Sequence, residues 1–252
     1  MFHNCRWLVK QLIATQSISK EMWSQIFEKE IKAVELAAAA YFSNYHAWDY
    51  RRWLLQTSLD GSFSSPELKQ QVLISEKALS DEWIEKHVSD HSGIHYRQHL
   101  IMLLSHTESN NSELSQSLKL FKKELENNLS FITRYPGHET LWYYRRFLLQ
   151  CTMSRLQSTM SENEHHRMEV DDEDVRGALS SFIAWEDEVK HLKDKEKDLV
   201  ESVLTENSDL NRLDDVNFIT KDTSQLNLLY AQRHSKWLSI MFEWQLLDNN
   251  KK

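Results

Sequence analysis

Histidines, arginine pairs and two lone cysteines are the groups in this 252-residue chain whose types and spacing could do chemistry. His87, His91, His95 and His99 recur every four residues. On an unbroken helix that spacing lines up four imidazoles on one face and invites a divalent metal. Asp90, Ser92 and Gly93 lie among them, and these residue types predict a break that spoils the row, so no metal ligands are assigned. His165 and His166 sit amid acidic residues and read as part of a solvated loop. Cys5 and Cys151 are too few for the disulfide framework of a secreted protein and cannot build a structural zinc site between them. No nucleophile elbow, Cys-x-x-Cys pair or Walker loop is present in the sequence.

The arginine pairs come embedded in a repeat. One frame of aromatic, basic pair and leucines runs through Asn44–Gln56, His91–Ile101, His138–Gln150 and Arg233–Leu238, with a shortened copy at Phe2–Leu8. The residues that follow the basic pair, Trp7, Trp53, His99, Phe147 and Trp237, are 46, 46, 48 and 90 positions apart, the last close to two ordinary steps. Such regularity marks a stacked repeat protein. Arg6, Trp7, Trp48, Arg51, Arg52, Trp53, Arg97, Trp142, Arg145, Arg146, Lys236 and Trp237 make up the signature. Aromatics and arginines at helical spacing serve mainly as core and as glue between repeats. Arg51 and Arg52 follow Trp48 at three and four residues, within reach of stacking on the indole and of donating to a neighbouring turn's carboxylates or carbonyls.

Four Gly and two Pro leave few residues for hairpins or phosphate loops, so the class is all-α. Each repeat reads as a long helix, a short break and a signature helix. Phe27, Ile31, Val34, Ala38 and Tyr41 fall on one stripe of a helix over 21–42, and Ser43 and Asn44 each offer a side-chain oxygen to cap a helix over 45–57. Leu68, Val72, Leu79 and Trp83 give the next stripe, from Pro66 onward; Leu114, Leu118, Phe121, Leu125, Leu129 and Ile132 give a third, ended by Pro136-Gly137. Trp48 and Trp53 point about 140° apart on a helix turning about 100° per residue. The signature helix must therefore be covered on two sides, by consecutive hairpins or by a partner protein. The expected architecture is a single α-α superhelix of stacked hairpins over 1–252: a partial repeat at 1–16, repeats at 21–58, 66–107 and 112–160, and a last one at 173–248, with polar inserts at 161–176 and 206–224.

A net charge of −8 argues against a nucleic-acid binder and favours a protein partner. The longest apolar stretch, 33–42, is interrupted by Glu35 and too short to cross a bilayer, and no signal-peptide pattern precedes it. A soluble, cytoplasmic protein is expected.

Asn44-Tyr45-His46-Ala47-Trp48 followed by Arg51-Arg52-Trp53, recurring along the chain, resembles the α subunits of protein prenyltransferases. Val88–Gln98 and Tyr135–Trp142 look most like the branch formed by α subunits of the third type of geranylgeranyltransferase. The resemblance implies a helical α subunit in an obligate heterodimer with a β subunit of the Rab geranylgeranyltransferase type. That partner is expected to hold zinc and geranylgeranyl diphosphate, and the complex to prenylate cysteines near protein C-termini. No cofactor is expected in this chain, and by itself it is expected to be inactive. By resemblance, Asn44, Tyr45 and His46 approach the isoprenoid diphosphate. The family's α-subunit lysine would fall ahead of Met1, so the array is expected to begin earlier in the intact protein. Ile94 and His99 depart from the family's aromatic positions. The rival expectation is a non-catalytic helical-repeat adaptor.

Overall fold

Backbone hydrogen bonding and the periodicity of apolar side chains resolve the chain into helices paired as hairpins. The structure is a computed structural model that describes residues 2–15, 18–60, 65–106, 113–166, 187, 190–205 and 223–249. In chain order the helices are α1 (Phe2–Ala14), α2 (Lys20–Ala40), α3 (Tyr45–Leu59), α4 (Pro66–Lys86), α5 (His91–Ser105), α6 (Glu113–Arg134), α7 (Glu139–His166), α8 (190–205) and α9 (Thr223–Asn249). No strand occurs among the described residues. None of the helices there is long and apolar enough to cross a membrane.

The chain divides into two compact units, Met1–Ser109 and Asn110–Lys252. In the first, α2 pairs with α3 and α4 with α5, while α3 also packs on α1 and α5. In the second, α6 pairs with α7, which packs on α9. The first unit's core gathers Trp23, Val34, Trp48, Tyr50, Trp53, Leu54, Leu55 and Tyr96. The second is organised around Ile132, Leu141, Trp142, Val203 and Ala231.

The helix starts follow capping chemistry. Ser19, Asn44 and Ser65 each accept a backbone N–H three residues on, from Met22, Ala47 and Leu68. Pro66 occupies the first turn of α4, where its missing N–H costs nothing. The turn before α3 places Ser43 at φ 50°, and the turn before α7 places Gly137 at φ 82°, each one residue ahead of the helix-capping position. Both connections need a left-handed residue there, which glycine adopts without strain and serine does not.

Three details differ from the sequence reading. Tyr41 is 72% exposed because α2 ends at Ala40 and the extended backbone of Tyr41 throws its ring off the buried stripe. In α4 the buried line is Leu73, Glu76, Ser80 and Ile84, not Leu68, Val72, Leu79 and Trp83. Two of its four members are polar, so a hydrophobic search slides to the adjacent face. Finally, Gly93 does not break a helix; it lies in the first turn of α5, and α7 continues to His166, through the first residues of the expected insert. The rest of that insert, and most of 206–224, lie outside the described residues.

Gly93 is needed for space. A Cβ there would stand 3.0 Å from Asp90 Oδ2 and from Cδ1 and Nε1 of Trp83, whose indole N–H donates to that same oxygen at 2.9 Å. Gly93→Ala is accordingly expected to lower unfolding free energy by roughly 1–3 kcal/mol, the usual cost of overpacking, as read from urea denaturation.

Candidate functional site

The signature residues build a clasp between successive hairpins. Arg51 of α3 donates from Nε and Nη2 to Glu76 of α4, at 2.8 and 3.0 Å, a bidentate pair with both side chains buried. The Tyr96 hydroxyl of α5 donates to the same carboxylate. Burial first, and then the charge of Glu76, push the phenol's pKa far above its ordinary value, so it remains a donor. The Arg51 guanidinium also lies over the rings of Trp48 and Tyr96, 5.8 and 5.6 Å from their centroids.

The second unit rebuilds this clasp from different residues. Arg145 of α7 donates to Glu196 of α8 at 2.8 and 2.6 Å, and His234 of α9 takes the tyrosine's place, its Nε2 3.1 Å from Glu196. Trp48 lies 5.2 Å from Tyr96 in one unit, and Trp142 lies 5.3 Å from His234 in the other. The tryptophan N–H groups follow suit: Trp48 donates to Asp90 at 3.0 Å and Trp142 to Asn227 at 3.0 Å. Asp90 also caps α5 through the N–H groups of Ser92 and Gly93. One buried carboxylate thus ties together Trp48, Trp83 and the start of the next helix.

A second regularity escaped the sequence reading. Tyr50, Tyr96 and Tyr144 each donate to a glutamate 20 residues earlier, Glu30, Glu76 and Glu124. The signal was in the sequence: a glutamate 20 positions before every Tyr-Arg pair. It was masked because an isolated glutamate on a long helix reads as surface.

Trp48 and Trp53 do face opposite ways, and neighbouring elements of this chain cover both. Trp48 meets Trp83 and Tyr96; Trp53 stacks on Tyr50 and lies under the Arg6 guanidinium, 5.2 Å from the ring centroid. Their burial therefore makes no demand for a partner polypeptide. Trp7, in contrast, is 61% exposed. Arg97 is buried and paired with Asp81 of its own hairpin. In α9 the buried group is His234, while Lys236 is exposed and Trp237 is half-buried against His234.

Asn44 caps α3: its Oδ1 accepts the Ala47 N–H at 3.2 Å and its Nδ2 donates to the Ala37 carbonyl at 3.2 Å. Tyr45 and His46 lie exposed in the first turn of α3, their rings edge-to-face at 5.7 Å. Exposed Tyr41 and Phe42 adjoin them in sequence. Of the three residues the sequence singles out, Asn44 is occupied by the backbone, and Tyr45 and His46 remain available to an outside group.

His91, His95 and His99 share α5 and keep their fourfold spacing, because the break falls before His91. His87 ends α4 and stacks on Trp83 at 4.0 Å. No group of three or more His, Cys, Asp or Glu side chains among the described residues is gathered to hold a metal. A groove of about 340 Å³ opens between α2 and α4 with Arg51 and Trp48 in its lining, but Arg51 is already engaged by Glu76 and Glu35.

The profile of the protein prenyltransferase alpha subunit repeat matches residues 27–58 and 121–152, one hairpin in each unit. These two hairpins are similar to prenyltransferase α-subunit repeats. It is 31% identical over 183 residues to human protein prenyltransferase alpha subunit repeat-containing protein 1, covering 57% of this chain and 44% of that protein. The Danio rerio protein of the same name is 34% identical over 149 residues, covering 50% and 33%. Repeat-containing protein 1-A of Xenopus laevis is 32% identical over 175 residues, covering 55% and 39%. The chain spans less than half the length of these curated relatives.

The clasps make two measurable demands. Glu76→Ala leaves Arg51 and Tyr96 without their shared acceptor and is expected to cost about 3–5 kcal/mol in urea unfolding, as for a broken buried ion pair. His234 carries the pH dependence. Burial first, then the charges of Arg145 and Arg146, lower its pKa against the opposing pull of Glu196. The unfolded chain therefore takes up the proton at higher pH than the folded one. Stability from this group is present above about pH 6.5 and falls as the pH drops below it. Thermal melts of His234→Tyr, which installs the first unit's residue, should decline less between pH 7 and 5 than those of the parent.

Proposed function

We propose that this chain is the helical α partner of a heterodimeric protein geranylgeranyltransferase, in which it supports a zinc-containing β subunit that prenylates C-terminal cysteines. The observation that carries the reading is the start of α3. Asn44 fixes that helix end, and Tyr45 and His46 stand exposed beside its first turn. A helix N-terminus presents unpaired N–H groups and partial positive charge, which favour a diphosphate. The Tyr45 hydroxyl and His46 ring add donors at the same place. Zinc on the partner would supply the thiolate by lowering the acceptor thiol's pKa. This chain's part is to orient and stabilise the departing diphosphate, and its repeats supply the rigid frame. Similarity to the repeat-containing proteins supports the assignment.

The test uses the intact protein, co-expressed with a Rab-type geranylgeranyltransferase β subunit and run on a sizing column. A stable one-to-one complex, burying about 2,000 Å² or more as permanent complexes do, is expected. It should transfer labelled geranylgeranyl to a cysteine-tailed acceptor, and His46→Ala should slow transfer about tenfold, equivalent to ~1.4 kcal/mol of transition-state stabilisation. Absence of a complex would defeat the proposal. The rival adaptor reading rests on Tyr41 and Phe42, 72% and 75% exposed beside Tyr45, a patch suited to protein recognition. A complex that binds acceptor yet transfers nothing would favour it.

A further inference from the structure

The signature helices also carry a row of cations that the clasps leave unused. In the first unit, Arg6 of α1 and Arg52 of α3 share one carboxylate: Arg6 Nη1 lies 3.2 Å from Asp49 Oδ2, and Arg52 Nη2 lies 3.2 Å from Asp49 Oδ1. His99, on α5, adjoins Arg52 and His95. Half-burial first, and then the nearby Arg52 and His95, lower the pKa of His99. The Nε of Arg6 and the Nε2 of His99 are buried with no hydrogen-bond partner among the described residues.

The second unit has a comparable arrangement, one member of which falls at a corresponding place in the repeat. Arg146 stands where Arg52 does, and Arg233, one residue before His234, stands where His95 does, one residue before Tyr96. Again two arginines face one acidic residue: Arg233 Nη1 lies 3.3 Å from Glu139, and both Glu139 and Arg233 act electrostatically on Arg146. The Arg146 Nε is likewise buried with no hydrogen-bond partner among the described residues. Arg6, Arg52 and Arg146 are half-buried, and Arg233 is exposed.

A guanidinium offers five N–H donors in a rigid fork suited to a carboxylate. Desolvating an arginine without a full set of acceptors is unfavourable, and supplying an acceptor from outside reverses that cost. The chain as a whole carries −8, so these two local cation surpluses run against its overall charge. We infer that the Arg6–Arg52 cluster and the Arg146–Arg233 pair are docking points for carboxylates on an acidic segment of the partner polypeptide. The complementary charge identifies the occupant as an acidic protein surface, and each unit binds its own portion. This inference rests on the partner reading above for the identity of that protein.

The experiment uses the intact protein in two double variants, Arg6→Glu with Arg52→Glu, and Arg146→Glu with Arg233→Glu. Far-ultraviolet dichroism and melting temperature establish that each is folded, and the milder Arg52→Gln and Arg146→Gln replace any that is not. Binding to the β subunit is then titrated at 50, 150 and 300 mM salt. Each variant is expected to bind about 10- to 100-fold more weakly at low salt and to lose most of the parent's salt dependence, while Lys197→Glu, at an exposed lysine beside Glu201 on α8, leaves binding unchanged. Folded variants that bind the β subunit as tightly as the parent, with the same salt dependence, overturn the inference and leave the proposed function standing. If the parent itself does not bind the β subunit, a fluorescent glutamate-rich peptide serves as the probe. Binding lost in the variants then supports the cation row, and no binding by the parent overturns it.

Discussion

Everything in this protein hangs on a carboxylate buried between two hairpins. Glu76 has almost no exposure to water, and it is held by a bidentate arginine from the helix before and a phenol from the helix after. An ion pair taken out of water is favourable only when geometry and additional hydrogen bonds satisfy the remaining lone pairs. That condition is what makes the clasp specific: Arg51, Glu76 and Tyr96 fit only if the hairpins are in register. Hydrophobic burial would hold two hairpins together in several registers, whereas this cluster permits one.

The second unit shows that the geometry matters more than the residues. There Glu196 is supplied by α8, 51 residues after Arg145, whereas Glu76 follows Arg51 by 25, and His234 stands where Tyr96 stands. Burial opposes ionisation of Glu196, but the hydrogen bond from His234 and the charge of Arg145 outweigh it and keep the carboxyl below its usual range. The exchange of phenol for imidazole keeps the hydrogen bond to the carboxylate and adds a group whose pKa burial lowers from its ordinary value. The tryptophan N–H shows the same economy, finding an aspartate in one unit and an asparagine in the other.

A division of labour follows. The residues that mark the repeat, Trp48, Arg51, Trp142 and Arg145, are consumed in holding hairpins together. What the clasps leave unused lies beside them: Tyr45 and His46, exposed in the first turn of α3, and the second basic residues Arg52 and Arg146, both half-buried. A repeat fold suits this arrangement, since one face of each unit can vary while the clasp beneath stays fixed.

The sequence by itself determined the helical class, the repeat frame, the capping residue Asn44 and the place of Pro66 in a first turn, because helix periodicity and cap chemistry are local and need no partner. It also left the signature arginines a choice of carboxylates or carbonyls. Which carboxylates, it did not say. The buried stripe of α4 includes Glu76 and Ser80, and a hydrophobic pattern steps past them to Leu79 and Trp83. Gly93 reads as a helix breaker, yet it is a helical residue chosen to make room for Trp83 and Asp90. The first depends on Arg51, 25 positions before Glu76, and the second on Trp83, ten positions before Gly93, held on Asp90. Only the tertiary structure decided them, since the free energy of a buried charge is set by the groups that surround it in space and not by its neighbours along the chain.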